Sequence, residues 1–313
     1  MTNSAPRLRC TAPEVLESAL RGEGLTLDYG ACRARIQTRS IATLGPALRD
    51  VYGAFAFQPR QNFADYHVIL SRGSGIRRVL KPTVNFQIDG IKPFEPFPTS
   101  HALPLYEWGL NWAFGQRANQ FVLLHAATLD LDGRAVIMAA VPGSGKSTLA
   151  AALMLSGLRL LSDEFGVLVP ETGELTAMLK PVALKNQSIA VIRSFSSRAR
   201  IGRTFEQTRK GDVAHLAPDE NSVARLHAGS TPALVLFPSY RGAGATLSLK
   251  RQAPEQTFAR LAFNSFNYGL LGPIAFHAVA DVAERCPAYE LGYGNLEEAT
   301  RTVRDLLAGD GTA

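Results

Sequence analysis

The sequence has few cysteines and no long apolar run. Its 313 residues include only three cysteines, Cys10, Cys32 and Cys286, and none of them has C-x-x-C spacing. That scarcity excludes a disulfide framework or a cysteine zinc site and is typical of a reducing compartment. No run approaches the ~18 apolar residues of a membrane span, and the first residues lack the pattern of a signal peptide. We therefore expect a cytoplasmic protein that has no membrane partner.

The charge of the chain is only modestly basic. Charged residues make up 19% and hydrophobic residues 46% of the sequence, which is the composition of a globular protein. The formal net charge is +6, which fits an anionic ligand such as a nucleotide. No basic stripe is interleaved with aromatic residues, so we expect no nucleic-acid partner.

One glycine-rich stretch carries the clearest chemical signal. Residues 140–148 read Ala-Val-Pro-Gly-Ser-Gly-Lys-Ser-Thr and match the P-loop (Walker A) pattern G-x-x-x-x-G-K-[ST], except that Ala140 replaces the first glycine. In a P-loop the amides wrap a polyphosphate, the lysine reaches the outer phosphates and the hydroxyl binds Mg²⁺. The match predicts that Ser147 is a metal ligand. The expected nucleotide-binding residues are Pro142, Gly143, Ser144, Gly145, Lys146, Ser147 and Thr148.

The flanks of this loop have the order that a phosphate site requires. Arg134–Ala139 is a short apolar run typical of a buried strand, and Ser147–Leu155 predicts a helix that stops at Gly157. The amides at the start of such a helix point at a bound phosphate. The alternative is an ordinary glycine-rich turn between a strand and a helix.

An antiparallel hairpin is predicted to lead into the loop. Phe121–Leu131 reads as a strand, and Asp132-Gly133 is a hairpin turn that returns the chain into the strand before the loop. A doubly wound nucleotide-binding sheet would instead use crossovers at this point. His125 is predicted to lie in the first strand on an apolar face, either as a hydrogen-bonded core residue or as a functional one.

Two carboxylates follow the next predicted strand. Leu158–Leu161 is apolar and is followed by Ser162, Asp163 and Glu164. Ligands bind outside the carboxyl ends of strands in such sheets, where kinases place their metal and base residues. Adjacent side chains at a strand end point to opposite sides, so the two carboxylates can have different roles. The alternative is a solvated acidic turn.

Further downstream, several cationic or polar residues are candidate contacts for phosphate or acceptor. Lys185 and Asn186 precede a predicted helix, where Asn186 could equally be an N-cap. Residues 193–210 contain six cations and one acid, which is typical either of a solvated face or of a loop that closes over phosphate or an acidic acceptor. Lys210 is the first candidate there. Arg241, in a glycine-rich loop, is a charge-stabilising arginine or a salt-bridge residue.

The proline-rich stretch Lys92–Pro98 predicts a domain boundary. Residues 1–100 are predicted to form a smaller α+β domain for docking or oligomerisation, and residues 101–313 the catalytic domain. The sequence is compatible with a homo-oligomer. Leu103–Phe114 is a predicted buried helix on which Glu107 and Asn111 satisfy polar groups rather than act in catalysis.

The run from His125 through the P-loop to Glu164 resembles the catalytic core of the HPr serine kinase/phosphorylase superfamily. It is most similar to the HPr-kinase-related kinases, including those of peptide natural-product clusters that phosphorylate a serine of a precursor peptide. The match covers about residues 120–190. It implies an α/β fold, with a mixed-sheet P-loop core like that of HPr kinases and phosphoenolpyruvate carboxykinases.

The resemblance also implies roles for individual residues. Asp163 would be the general base, Glu164 would help Ser147 to hold Mg²⁺, and His125 would lie close to the transferred phosphoryl group with Lys146. Glu164 stands where the family has a second aspartate. Residues 180–186 lack the acidic signature that HPr kinases associate with phosphorolysis, which puts the reverse reaction and HPr itself as the acceptor in doubt.

The sequence therefore predicts an ATP- and Mg²⁺-dependent kinase. Its acceptor would be a hydroxyl, either a serine of a peptide or protein or a small-molecule alcohol. The alternative function is a nucleotide-responsive switch protein or an ATPase without a phosphoacceptor.

Overall fold

Helices and strands alternate along the chain in a mixed α/β arrangement. The computed structural model describes residues 6–57, 63–74 and 80–309; residues 1–5, on which the signal-peptide expectation partly rests, lie outside that range. The helices are α1 (Pro13–Arg21), α2 (Leu44–Val51), α3 (Ala102–Arg117), α4 (Lys146–Leu155), α5 (Gln187–Phe195), α6 (Glu220–Ala224), α7 (Pro254–Phe263), α8 (Tyr268–Leu271), α9 (Pro273–Arg285) and α10 (Leu296–Ala308).

The strands are β1 (Leu25–Asp28), β2 (Arg33–Arg39), β3 (Tyr66–Arg72), β4 (Thr83–Ile88), β5 (Phe97–Pro98), β6 (Val122–Leu124), β7 (Ala126–Leu131), β8 (Arg134–Ala139), β9 (Arg159–Ser162), β10 (Gly166–Leu168), β11 (Leu175–Thr176), β12 (Val182–Lys185), β13 (Phe205–Thr208), β14 (Gly211–Leu216), β15 (Thr231–Tyr240), β16 (Ser248–Gln252) and β17 (Ala288–Tyr293). In the described part of the chain, no helix is both long and apolar enough to span a bilayer.

The first part of the chain forms a five-stranded sheet in the order β1-β2-β3-β4-β5. Buried and partly exposed residues alternate along β2 and β4, which is the pattern of strands with one covered face. The proline-rich stretch that predicts a domain boundary ends in the short edge strand β5, which pairs with β4. An edge position tolerates Pro98, because that strand needs fewer ladder donors. The domain boundary near residue 100 stays a prediction.

A six-stranded mixed sheet positions the glycine-rich loop. Its order is β16-β17-β15-β8-β7-β9. Strands β17, β15 and β8 are parallel to one another, and β9 has the same direction because it is antiparallel to β7, which is antiparallel to β8. The carboxyl ends of β8, β9, β15 and β17 therefore meet at one edge of the sheet, where ligands of α/β sheets bind.

The predicted hairpin before the loop is confirmed in part. Strands β7 and β8 pair from Ala126–Ala139 to Leu131–Arg134, and Asp132 and Gly133 both have positive φ, as a tight hairpin turn requires. The strand expected to start at Phe121 is broken, however. β6 pairs with β10 in a separate three-stranded sheet, and His125 lies between β6 and β7. The expectation that His125 lies within the hairpin strand is therefore wrong.

Two further features bring distant segments to this sheet. Helix α4 is buried along most of its length and packs against β7, α5 and α10. The three-stranded sheet β12-β14-β13 also packs against α4, and the two-residue turn between β13 and β14 holds Arg209 and Lys210. This sheet lies well after the glycine-rich loop in sequence but packs against the helix that begins in the loop.

A buried ion pair ties β7 to β9. Arg159 and Asp130 are each 1% exposed, and Arg159 Nε donates to Asp130 Oδ2 at 2.9 Å. The other guanidinium nitrogens donate to the carbonyl oxygens of Arg225 and Ala228 and to Ser230 Oγ. Every N–H group of the guanidinium thus donates to an acceptor inside the fold. A buried charge is tolerated only under this condition.

Replacing Arg159 with Met should strongly destabilise the fold, because Asp130 would lose its hydrogen-bonded cation and keep only the partly exposed Arg225, whose Nη1 lies 3.9 Å from Asp130 Oδ1. We expect the free energy of unfolding to fall by about 3–5 kcal/mol. Urea unfolding followed by circular dichroism measures this. The matched control is Arg285→Met, which breaks the exposed pair with Asp281 and should change stability little. Similar small losses in both variants would contradict the structural role of Arg159.

Candidate functional site

The glycine-rich loop follows β8 and is anchored from β15, which is the neighbour of β8 in the sheet, and from β17, the strand beyond it. The Tyr293 hydroxyl at the end of β17 donates to the Gly145 carbonyl oxygen at 3.2 Å, and the Tyr240 amide at the end of β15 donates to the Ser144 carbonyl oxygen at 2.8 Å. Gly143 and Gly145 have φ of 86° and 87°, which glycine adopts without strain. A Cβ at Gly145 would also lie 2.5 Å from Tyr293 Oη.

The absence of the first P-loop glycine has a local explanation. Ala140 directly follows β8 and is buried, and it is not among the described residues that have positive φ. Its backbone therefore does not need glycine. The alanine is compatible with the same loop path, so the departure from the pattern costs no backbone strain.

Lys146 is the first residue of α4 and points across the sheet edge. Its side chain is buried, and Nζ donates to the backbone carbonyl oxygen of Asp163, just after β9. The same Nζ lies 3.7 Å from Asp163 Oδ1. The contact joins the glycine-rich loop to the segment that carries the two predicted carboxylates.

Asp163 is buried without a hydrogen-bond partner. The residue is 5% exposed, and neither Oδ1 nor Oδ2 has a partner among the described residues. Burial raises the pKa of Asp163 above its usual range, and the negative charge of Glu164 acts in the same direction. Lys146 opposes this shift, as does the nearby Ser147 hydroxyl. Buried carboxylates are normally hydrogen-bonded, whereas Asp163 has only the ion pair with Lys146, so its oxygens can accept hydrogen bonds from a ligand.

Glu164 faces a different partner from its neighbour. Its Oε2 lies 3.6 Å from His125 Nε2, and its side chain is one third exposed. Burial acts to raise the pKa of Glu164, but the hydrogen bond with His125 and the charges of Lys146 and Lys185 outweigh it and lower the pKa to about 2. Glu164 is therefore ionised at neutral pH. The structure brings the three predicted residues His125, Asp163 and Glu164 together.

A pocket opens beside the two carboxylates. Its apolar walls come from Phe97, Trp108 and Phe165, and its lining includes Asp163 and Glu164 but no residue of 140–148. The cavity volume is about 130 Å³, which is room for a small organic group, since about 10–15 Å³ of such volume is enough to hold one water molecule. The remaining lining residues are Pro104, Glu107, Asn111, Ser162, Lys180, Pro181, Ala183, Lys185, Thr208, Arg209, Lys210, Val213 and His215.

The four candidate contacts downstream of the loop take different positions. Lys185 and Lys210 line the pocket. Asn186 precedes α5 with φ of 50°, and its Oδ1 accepts from the Asp212 amide at 3.1 Å, so its side chain does not cap the helix. Arg241 is exposed and follows Tyr240 beside the glycine-rich loop, away from the pocket lining.

The basic run at residues 193–210 is divided between two roles. Arg193 and Arg198 make hydrogen bonds to Thr204 and to the Leu155 carbonyl oxygen, away from the pocket. Arg209 and Lys210 lie at the pocket, on the turn between β13 and β14. Of the basic run at residues 193–210, only this turn lines the pocket.

Several pocket residues carry no signal in the sequence. Lys180 is buried and its Nζ lies 3.0 Å from Glu107 Oε2 and 2.6 Å from Asn111 Oδ1, so it is the partner of the polar pair on α3. Phe97 and His215 come from β5 and β14, far from the loop in sequence. Only the tertiary fold brings these elements together.

The residues present fit a Mg²⁺ ion held mainly by nucleotide phosphates. Among the described residues, no group of three or more His, Cys, Asp or Glu side chains could hold a metal by itself. Mg²⁺ in nucleotide sites keeps waters and phosphate ligands and needs one or two protein oxygens. The Ser147 hydroxyl and the ionised Glu164 carboxylate would supply such oxygens, which leaves the Asp163 carboxylate for the acceptor.

Comparison with known protein families found no match to this chain, and no curated protein matches it significantly. The site is therefore interpreted from its own geometry.

His215 is a buried, neutral pocket residue. Burial lowers its pKa to about 4; Glu107 opposes this shift, while Lys180 and Lys185 add to it. Its Nδ1 has no hydrogen-bond partner among the described residues. At neutral pH the imidazole can therefore donate from one nitrogen and accept at the other.

Acidification should destabilise the protein through His215. The unfolded chain binds a proton there below pH 6.5, but the folded chain does so only below about pH 4. The stability contributed by His215 is therefore lost as the pH falls through that window, by up to about 1.4 kcal/mol per pH unit. Urea unfolding between pH 4.5 and 6.5 measures the slope. His215→Leu should flatten it, and the exposed control His277→Asn should keep it. An unchanged slope in His215→Leu would exclude the buried neutral state.

Proposed function

We propose that this protein is a kinase that transfers the γ-phosphoryl group of ATP to a hydroxyl. The acceptor is a serine of a peptide or protein, or a small-molecule alcohol. Residues 143–148 bind the phosphates, Asp163 is the general base, and Mg²⁺ is the metal. Under this proposal the chain has an HPr-kinase-like P-loop core, residues 1–100 serve docking or oligomerisation, and the protein acts in the cytoplasm.

The state of Asp163 carries the proposal. A buried carboxylate that served the fold alone would be paired and hydrogen-bonded. Asp163 is paired with Lys146, whose Nζ lies 3.7 Å from Oδ1 on the phosphate-loop side, but neither of its oxygens has a hydrogen-bond partner among the described residues, and a pocket opens on its other side. A group that must receive a proton from an acceptor hydroxyl requires this arrangement: access to the acceptor and proximity to the transferred phosphoryl group.

Each residue then has a defined task. The loop amides and the N-terminus of α4 bind the phosphate oxygens, and Lys146 neutralises charge that builds up on the outer phosphates. Asp163 orients the acceptor hydroxyl and takes its proton onto a carboxylate oxygen. Burial raises the pKa of Asp163, which is the direction that makes a carboxylate a stronger base.

The neighbouring pair His125 and Glu164 supports the metal side. Mg²⁺, held by Ser147 and Glu164, would supply further neutralisation of the phosphate charge. Glu164 is ionised at neutral pH and is oriented by His125. Both residues lie in the segment that resembles the HPr kinase superfamily, and the hairpin entry into the P-loop is a further trait of that resemblance.

Substitution of Lys146 and of Asp163 should separate nucleotide binding from transfer. We expect Lys146→Ala to abolish transfer of label from γ-labelled ATP to any acceptor, because the outer phosphates lose their cation. Asp163→Asn should retain nucleotide binding, measured by calorimetry with Mg²⁺-ATP, but should lower transfer by about 10²–10⁴-fold. The exposed turn residue Glu171, replaced with Gln, is the matched carboxylate control.

Two outcomes would count against these assignments. Wild-type transfer by Asp163→Asn would remove Asp163 as the base. Label that appears only as free phosphate, with peptides, proteins and hydroxylated metabolites all present as acceptors, would favour the ATPase or switch function over a kinase.

A further inference from the structure

The pocket beside Asp163 is separate from the phosphate loop but continuous with the proposed base. It extends from Asp163 and Glu164 between α3, β12 and the β13–β14 turn, and none of the residues 140–148 lines it. A nucleotide on the loop and a second molecule in the pocket would thus meet at Asp163. This is the placement that an acceptor needs for in-line transfer.

One side of the pocket is a rigid aromatic wall. The rings of Phe97 and Trp108 have centroids 5.7 Å apart, and Trp108 stacks on Phe94 at 4.3 Å. Phe165 packs edge-on against Phe114 at 5.2 Å. A wall of this kind favours an aliphatic or aromatic body, because pockets bind mainly through apolar contact and use a few polar groups for orientation.

The rim of the pocket carries cations. Lys185, Arg209 and Lys210 line it and form no ion pair among the described residues, and Arg209 lies 4.8 Å over the Phe97 ring. Of the three acids in the lining, Glu107 pairs with Lys180, Glu164 contacts His125 and Asp163 lies beside Lys146, and the charge of Lys185 also acts on Asp163 and Glu164. Arg209 and Lys210 are thus left without a matching acid in the lining, which favours an anionic ligand.

A buried polar group at the pocket gives a second, independent indication of a ligand. His215 is 3% exposed, lines the pocket, and its Nδ1 has no partner among the described residues. Leaving such an atom unpaired costs free energy unless a ligand or water satisfies it. A polar atom of the bound molecule can do so.

From these features we propose that the pocket is the acceptor site, and that the acceptor combines a hydroxyl, an apolar body and an anionic group such as a carboxylate or phosphate. The proposal rests on the proposed kinase function. The acceptor oxygen forms a bond to the γ-phosphorus, the bond from that phosphorus to the β,γ-bridging oxygen breaks, and the hydroxyl proton passes to Asp163 as ADP leaves. The same chemistry is offered by a free hydroxy acid or by a serine beside an acidic residue in a peptide.

Tryptophan fluorescence provides a direct binding test that does not depend on catalysis. The protein has two tryptophans, Trp108 and Trp112, and only Trp108 lines the pocket, so Trp112→Phe leaves a single reporter. The probes are two matched pairs: 3-phenyllactate against 3-phenyllactamide, and acetyl-Ser-Glu-amide against acetyl-Ser-Gln-amide. We expect the anionic member of at least one pair to bind about tenfold more tightly than its neutral partner. The responding pair identifies the source of the anion.

Charge variants test whether the cations at the pocket cause the preference for the anionic probe. In the Trp112→Phe background, the triple variant Lys185→Gln, Arg209→Gln, Lys210→Gln should lose the preference for the anion. The control triple Lys250→Gln, Arg251→Gln, Arg301→Gln changes the net charge equally at exposed sites and should keep it. Circular dichroism confirms that both triples are folded.

Three results would overturn the proposal: equal binding of anionic and neutral probes, no change in Trp108 fluorescence with either pair, or equal loss of preference in both triples. The same probes, incubated with γ-labelled ATP and wild-type protein, separate it from the proposed function. Selective binding without label transfer leaves the anionic pocket standing and counts against the kinase.

Discussion

The contact between Lys146 and the segment at Asp163 is the interaction on which the rest of the site depends. Lys146 is fixed by α4 and Asp163 by the end of β9, and the lysine Nζ reaches both the carbonyl oxygen and the carboxylate of Asp163. Burying a lysine and an aspartate costs solvation free energy, and their mutual attraction offsets this cost only when the two charges lie close together. Because the carboxylate gains no hydrogen bond in return, the site is held in place yet remains able to receive a ligand.

The mixed sheet makes that contact possible. Four strands, β8, β9, β15 and β17, end at one edge, and each supplies one component there: the glycine-rich loop, the two carboxylates, the Tyr240 amide and the Tyr293 hydroxyl. The Asp130–Arg159 pair locks β7 to β9 a few residues upstream. The loop therefore does not depend on its own glycines alone for its conformation, and Ala140 is accommodated.

Local sequence patterns predicted much of this arrangement. Strand β8, helix α4 and the carboxylates after β9 are adjacent in sequence and follow from apolar runs, turn residues and one motif. The predicted position of His125 was wrong because the chain passes from one sheet to another between β6 and β7. The mostly apolar sequence of residues 121–131 does not reveal such a change. The pocket could not be predicted for a related reason: Phe97, Lys180 and His215 meet only through long-range packing of β5, the segment that precedes β12, and β14. Similarly, only backbone geometry explains why Ala140 can replace glycine.

A crystal structure of the protein with Mg²⁺ and a non-hydrolysable ATP analogue tests the central claim most directly. The account predicts that the phosphates lie on the amides of residues 143–148, with the γ-phosphate between Lys146 Nζ and the Asp163 carboxylate and the metal on the Ser147 hydroxyl. A nucleotide bound elsewhere, or an Asp163 carboxylate that turns away from the γ-phosphate to pair with the protein, would contradict it.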